Sequence, residues 1–173
     1  MTETGRPPGG TGLESVHREE YAPLVRMAAL VLGDAGLAEQ VVQDAFVRLY
    51  VRRGGLRRIE RPGAYLRNAV LNGCRSQLRH RRVVDRHEAR HTVLLTPAAT
   101  PESEALAAAE HDRVVRALRS VSVRQREALV LRYYLDLSEA EIAAAMGVSA
   151  GSVKTHLHRG LAALAQLLGE DDR

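Results

Sequence analysis

Two stretches of this sequence carry side chains at spacings that could do chemistry. His87-Glu88-Ala89-Arg90-His91 satisfies H-E-x-x-H, a spacing that on a helix turns two imidazoles to one side for zinc and leaves the glutamate to activate water. Further along, Gly151, Thr155, His158 and Arg159 fall on one side of a helical repeat, flanked by Ser152 and Lys154. Those short polar and basic groups suit base edges and phosphates. The first pattern would be hydrolytic chemistry; the second is recognition without covalent chemistry. Context favours the second. The His/Glu segment is rich in arginine instead of apolar residues, and Leu94 and Pro97 stand where a metzincin carries Gly and His. A catalytic zinc also needs a third protein ligand and a dry cleft. A zinc peptidase is therefore a remote alternative to a solvated basic helix end, and no metal or cofactor site is assigned.

The elements that position the polar face carry local signals. Ser138 precedes Glu141 by three residues, so its hydroxyl can accept an orphan backbone N–H while Glu141 reaches back to the cap amide; a helix starts near Glu139. Gly147 follows the last apolar residue, Met146, and can take the left-handed conformation that ends a helix. Val148 and Ser149 then form a turn and a new N-cap. In the second helix Val153, Leu157, Leu161, Leu164 and Leu168 form the stripe expected to face the core. Two capped helices across so short a turn form a helix-turn-helix, which presents its second helix to the major groove.

Composition narrows the class. The 173 residues are 45% hydrophobic but only 3% aromatic, and their Leu, Val and Ala favour helices over sheets. An all-α protein of two small domains is expected. Cys74 is the single cysteine, which excludes an internal disulfide and suits a reducing cytoplasm; it is expected to pack as a small apolar residue, with a redox switch as the minor alternative. No apolar run reaches bilayer length. The net charge of +4 is uneven: residues 1–95 carry 16 arginines against 10 acids, whereas residues 106–173 balance 9 against 9. Arginine is densest at 52–61 and 75–90, an electrostatic footprint for nucleic acid.

Along the chain, residues 1–13 read as a disordered Gly/Pro/Thr-rich tail, 14–92 as a first helical domain, 93–100 as a flexible linker and 101–169 as a second domain. The first domain is expected to hold three helices, near 16–32, 37–50 and 63–82. Pro23 must open or bend the first. In the second helix Val41, Val42, Ala45, Phe46 and Leu49 point inward. Thr100-Pro101-Glu102 is an N-cap, a first-position proline and a first-turn acid.

The segment from Leu118 to Leu164 resembles region four, the promoter-binding domain, of extracytoplasmic-function (ECF) sigma factors of bacterial RNA polymerase, in their actinobacterial sigma-E-like group. The Arg124-Gln125-Arg126-Glu127 run, the R-Y-Y-x-D-L-S run from Arg132 to Ser138 and the Gly151–Thr155 run carry that likeness. Val121-Ser122-Val123 departs from it, since Leu-Pro is usual there. Ala38–Tyr50 and Arg61–Arg82 resemble region two of the same family.

The resemblance implies roles. Glu39, Gln40, Gln43 and Asp44 would dock on the clamp of the core polymerase's largest subunit, with Gln40 standing where Asp is common. Asn72 would line the pocket for a flipped base of the minus-ten strand, and an amide suits that task because it offers a donor and an acceptor without a charge to desolvate. Arg67, Arg75 and Arg79 would hold phosphates, Tyr65 could stack on a base, and Ser76 stands where Asp or Asn is frequent. Ser152, Lys154, Thr155, His158 and Arg159 would meet the minus-35 duplex. Residues 92–103 would thread through the polymerase, and an anti-sigma factor is a possible further partner. A stand-alone helix-turn-helix regulator is the alternative within gene control.

Overall fold

The computed structural model describes residues 12–51, 59–85 and 112–170, and every regular element among them is an α-helix. The first half holds α1 (Gly12–Leu32), α2 (Ala35–Val51) and α3 (Pro62–Asp85). The second holds α4 (residues 112–120), α5 (Val123–Tyr133), α6 (Glu139–Met146) and α7 (Ala150–Glu170). The expected tail up to residue 11, the linker at 93–100 and the Thr100–Glu102 helix start lie outside the described residues.

Helices α1 to α3 pack on each other through residues at helical spacing. Leu24, Met27, Ala28 and Val31 of α1 meet Val41, Val42, Ala45, Phe46 and Leu49 of α2 and Leu66, Val70, Leu71 and Cys74 of α3, all buried. α1 starts at Gly12, before the expected Val16, and runs continuously through Pro23 without ending there. α3 starts on Pro62, where the missing N–H costs nothing because the first-turn amides are unbonded anyway. Burial pushes the Cys74 thiol up to about 12, helped by the charge of Glu127, so Cys74 stays a neutral packing group.

The turn between α1 and α2 is closed by Asp34. Its carboxylate accepts from the Leu37 amide at 2.9 Å and from Arg81 at 2.5 Å. The amide, and after it Arg81, holds this carboxyl below its usual range against an opposing burial effect. A depressed folded-state pKa gives stability that is present above the unfolded-state value of about 3.9 and is lost as pH falls through the folded value. Asp34→Ala is therefore expected to lower stability by about 1 kcal/mol at neutral pH, as for loss of a helix cap. Denaturant titrations should show that difference shrinking on acidification below about pH 4.

In the second half, α5 is capped by Ser122 in a reciprocal box with Gln125. Ser122 in the Val121-Ser122-Val123 segment thus supplies the N-cap of α5. The R-Y-Y-x-D-L-S run makes the turn into α6: Arg132 donates to the Leu137 carbonyl at 2.8 Å, Asp136 takes a positive φ of 49°, Leu137 is buried, and Ser138 starts the next helix. Ser138 and Glu141 form the expected capping box, and the Ser138 hydroxyl and amide hold the Glu141 carboxyl below its usual range, with Arg67 and Arg61 adding. Gly147 ends α6 at φ 67°, and the Ser149 hydroxyl accepts from the Ser152 amide at 3.1 Å to start α7.

The stripe that α7 buries differs from the expected one. Val153 is fully buried and Leu157, Leu164 and Leu167 are partly so, but Leu161 is 43% exposed. The cause is Gly160, where α7 crosses α5 so closely that a Cβ would stand 2.9 Å from Leu129 Cδ1. With Gly160 at the contact, its neighbour is turned about 100° away.

The halves also share one core. The cluster formed by α1 to α3 continues without a gap into Ala128, Val130, Leu131, Leu137, Ile142 and Met146, as α5 packs on α1 and α6 on α3.

Candidate nucleic-acid interface

The polar face of α7 is open to solvent. Thr155, His158 and Arg159 are exposed, as are Gly151 and Lys154. The Thr155 hydroxyl donates to the Gly151 carbonyl at 3.0 Å, which orients it along the helix. Ser152 is half-buried and shares a 2.9 Å hydrogen bond with Ser149, so it serves the cap. Lys154 stands 3.7 Å from Glu139, an exposed pair of little energetic weight that a phosphate can replace. The capping of α6 and α7 fixes the angle at which this face projects, and its donors can meet base edges and phosphates together.

The α3 residues do not form one open surface. Arg75 lies in the contact between the halves: its Nε and one terminal nitrogen each donate at 2.8 Å to Glu127 of α5, and its other terminal nitrogen donates to Asn72 Oδ1 at 3.0 Å. Arg67 is half-buried with an Nε that has no hydrogen-bond partner, and it acts electrostatically on Glu141 of α6. Arg79 is exposed beside a groove of about 210 Å³ formed with Val123 and Arg124. Tyr65 is half-buried against the core. Ser76 is exposed on the side toward α2, lining a small cleft with Asp44 and Arg48. Asn72, Arg75 and Arg79 thus share a neighbourhood, while Tyr65, Arg67 and Ser76 point elsewhere.

On α2, Glu39, Gln40, Gln43 and Asp44 are all exposed. The same face continues into Val47 and Tyr50, 57% and 58% exposed. A polar start and an apolar end suit a protein partner better than water alone. Val47 and Tyr50 are given no role in the sequence reading, although Val47 stands i+4 from Gln43 and i+3 from Asp44, and Tyr50 a further three residues on.

The most constrained polar residues include two of the Arg124–Glu127 run, which carries the family likeness in the sequence without a role assigned to either residue. Glu127 is fully buried and takes Arg75 on both oxygens and Arg124 at 3.1 Å on one. Arg126, 7% exposed, donates to the carbonyls of Val31, Arg119 and Val121. Arg26 donates to the Tyr134 hydroxyl at 2.8 Å, a further tie between the halves.

His87–His91, Arg52–Arg58 and the side chains of Arg82–Arg90 lie outside the described residues. Among the described ones no cluster of His, Cys, Asp and Glu is grouped to hold a metal ion, and no helix is long and apolar enough to cross a membrane.

Comparison with known proteins matches residues 17–83 to Sigma-70 region 2 and residues 111–164 to Sigma-70, region 4. The RNA polymerase sigma-E factor of Streptomyces avermitilis is 33% identical over 92% of this chain and 89% of its own length. The ECF RNA polymerase sigma factor SigL of Mycobacterium tuberculosis is 31% identical over 91% and 89%. In fold, the chain is similar to the sigma factor RpoE of Bartonella quintana, solved in complex with the anti-sigma factor NepR, with a TM-score of 0.74 at 23% identity over 91% of this chain and 97% of that one.

Proposed function

The chain belongs to the Sigma-70 family, among the ECF RNA polymerase sigma factors, and from that we propose how its surfaces divide the work of starting transcription. As a sigma factor it acts by recognition: it joins core RNA polymerase in the cytoplasm, directs it to promoters and catalyses no covalent step. Lys154, Thr155, His158 and Arg159 on α7 read and grip the minus-35 duplex, with Ser152 setting the helix start. Asn72, Arg75 and Arg79 on α3 hold the minus-ten strand; Arg67, Tyr65 and Ser76, which point elsewhere, act at its margins. Glu39, Gln40, Gln43 and Asp44, extended by Val47 and Tyr50, dock on core polymerase. The observation that carries the reading is the exposed α7 face set by two consecutive capped helix starts. An anti-sigma factor is a further partner; the apolar groove of about 330 Å³ that includes Leu30, Tyr134, Leu161 and Leu164 would give it a landing site.

In vitro transcription with core enzyme on a promoter library tests this directly. Start sites preceded by two recurring elements are expected; no initiation on any template would refute it. A stand-alone regulator would bind DNA without enabling the enzyme. On duplexes carrying the upstream element, Arg159→Ala is expected to weaken binding by about 1–3 kcal/mol and to relax the preference at one base pair, as loss of a guanine contact does. Equal weakening on every sequence would assign Arg159 to phosphate instead.

A further inference from the structure

We propose that the groove between Arg79 of α3 and Arg124 of α5 binds the terminal phosphate of a small phosphorylated molecule, held by the open edge of the Arg124 guanidinium. The site stands on geometry and charge alone; that its ligand competes with the minus-ten strand for Arg79 rests on the sigma-factor reading of α3.

The groove, of about 210 Å³, is lined by Arg75, Leu78, Arg79, Val123 and Arg124. Its three arginines are unequally engaged. Arg75 spends Nε and Nη2 on Glu127 and Nη1 on Asn72, so it contributes charge but little further donor capacity. Arg124 spends a single nitrogen: Nη1 donates to Glu127 at 3.1 Å and to the Met146 carbonyl at 3.3 Å. Its Nε and Nη2, the same paired edge that Arg75 turns to Glu127, make no hydrogen bond among the described residues, and Arg124 is exposed. Arg79 is exposed too and has no partner among the described residues. An open Nε–Nη2 edge is a planar fork that fits two oxygens of a carboxylate or a phosphate.

Charge selects between those anions. Arginine stays protonated in proteins, so the groove has three positive charges against the single carboxylate of Glu127, which is fully buried and bonded to two of them. An excess of two remains. A phosphate monoester carries about −1.5 to −2 at neutral pH and three terminal oxygens, whereas each phosphate along a DNA strand is a diester with one charge. The monoester balances the groove; a carboxylate or a diester neutralises only half of the excess. The dipole of α5 also favours an anion at its first turn, but Ser122 already caps that turn, so the arginines carry the site.

Size limits what enters. Sites that enclose whole drug-sized molecules begin at roughly 300 Å³. This smaller groove fits a phosphate head, with Leu78 and Val123 against the first carbons beyond it, and leaves the rest of the ligand in solvent.

Calorimetric titration of the full chain at fixed ionic strength tests the site with inorganic phosphate, adenosine 5′-monophosphate, adenosine and dimethyl phosphate. Saturable one-to-one binding of the first two is expected, with the diester about tenfold weaker or more and adenosine silent. Arg124→Gln and Arg79→Gln should each weaken the monoester about tenfold or more, the effect of one lost charged hydrogen bond, with helicity by circular dichroism unchanged. Lys154→Gln, which lies outside the groove on α7, should bind the monoester as wild type does. No saturable binding, equal binding of the diester, or equal weakening by Lys154→Gln would overturn the site. Adenosine monophosphate at ten times its dissociation constant should weaken binding of short single-stranded DNA to the wild-type chain by up to about tenfold, as for two ligands of one site. Undiminished DNA binding would overturn the competition. A chain that initiates with core enzyme but binds no monoester would lose this site alone; one that binds the monoester but never initiates would lose the sigma-factor reading and keep the site.

Discussion

Replacing Arg126 with leucine is expected to destabilise the folded chain by about 2–4 kcal/mol, because three carbonyl groups lose a charged donor in a site that water does not reach. For a protein of this size that corresponds to a fall in Tm of roughly 5–15 °C. The guanidinium donates to Val31 in the last turn of α1, to Arg119 at the end of α4 and to Val121 in the turn before α5. Helix ends leave carbonyls without partners, and their partial negative charge favours a cation there. Burial, and next the nearby Arg119, lower the Arg126 pKa, which shows how far the group is removed from water. Arg126→Lys should recover only part of the loss, since an ammonium cannot span carbonyls that a planar fork reaches together. Arg124→Leu is the control: Arg124 is 44% exposed, and its removal leaves Glu127 paired with Arg75. Thermal and denaturant unfolding of the three variants decide it; Arg126→Leu unfolding like wild type would refute the role assigned to this residue.

The second large effect is expected on assembly. Asp44→Arg should weaken binding to core polymerase about 10- to 100-fold, because reversing a charge at a docking face sets like charges against each other. Asp44 is exposed and makes no hydrogen bond needed by the fold, so circular dichroism and the melting temperature should stay as in wild type. Tyr50→Ala should act in the same direction through lost apolar contact, since aromatic side chains carry much of the energy of protein interfaces. Co-purification with core enzyme and titration by fluorescence anisotropy provide the measurement. Full binding by Asp44→Arg would move the docking face off α2.

Much of the fold was legible because its signals are local. The Ser138–Glu141 box, the Gly147 stop and the Ser149 start each act within four residues, and α6 begins and ends, and α7 begins, where those residues place them. The Ser122–Gln125 box is equally local and follows the same rule, Ser followed three residues later by Glu or Gln, so it too is legible in the sequence. The inward faces of α1 and α2 follow from helical spacing alone. That spacing failed at Leu161, because which residue meets α5 depends on Gly160 permitting a close crossing.

By itself, then, the sequence determined the helices, their caps, the two regions and the resemblance that leads to polymerase and promoter. Only the tertiary structure decided that the halves pack together, that Arg75 faces Glu127 52 positions away, and that Arg126 reaches Val31 across 95. Caps and stripes are set by the geometry of one helix, whereas an arginine chooses its partner from whatever acceptors packing brings within reach, and nothing in the spacing of residues along the chain records that choice.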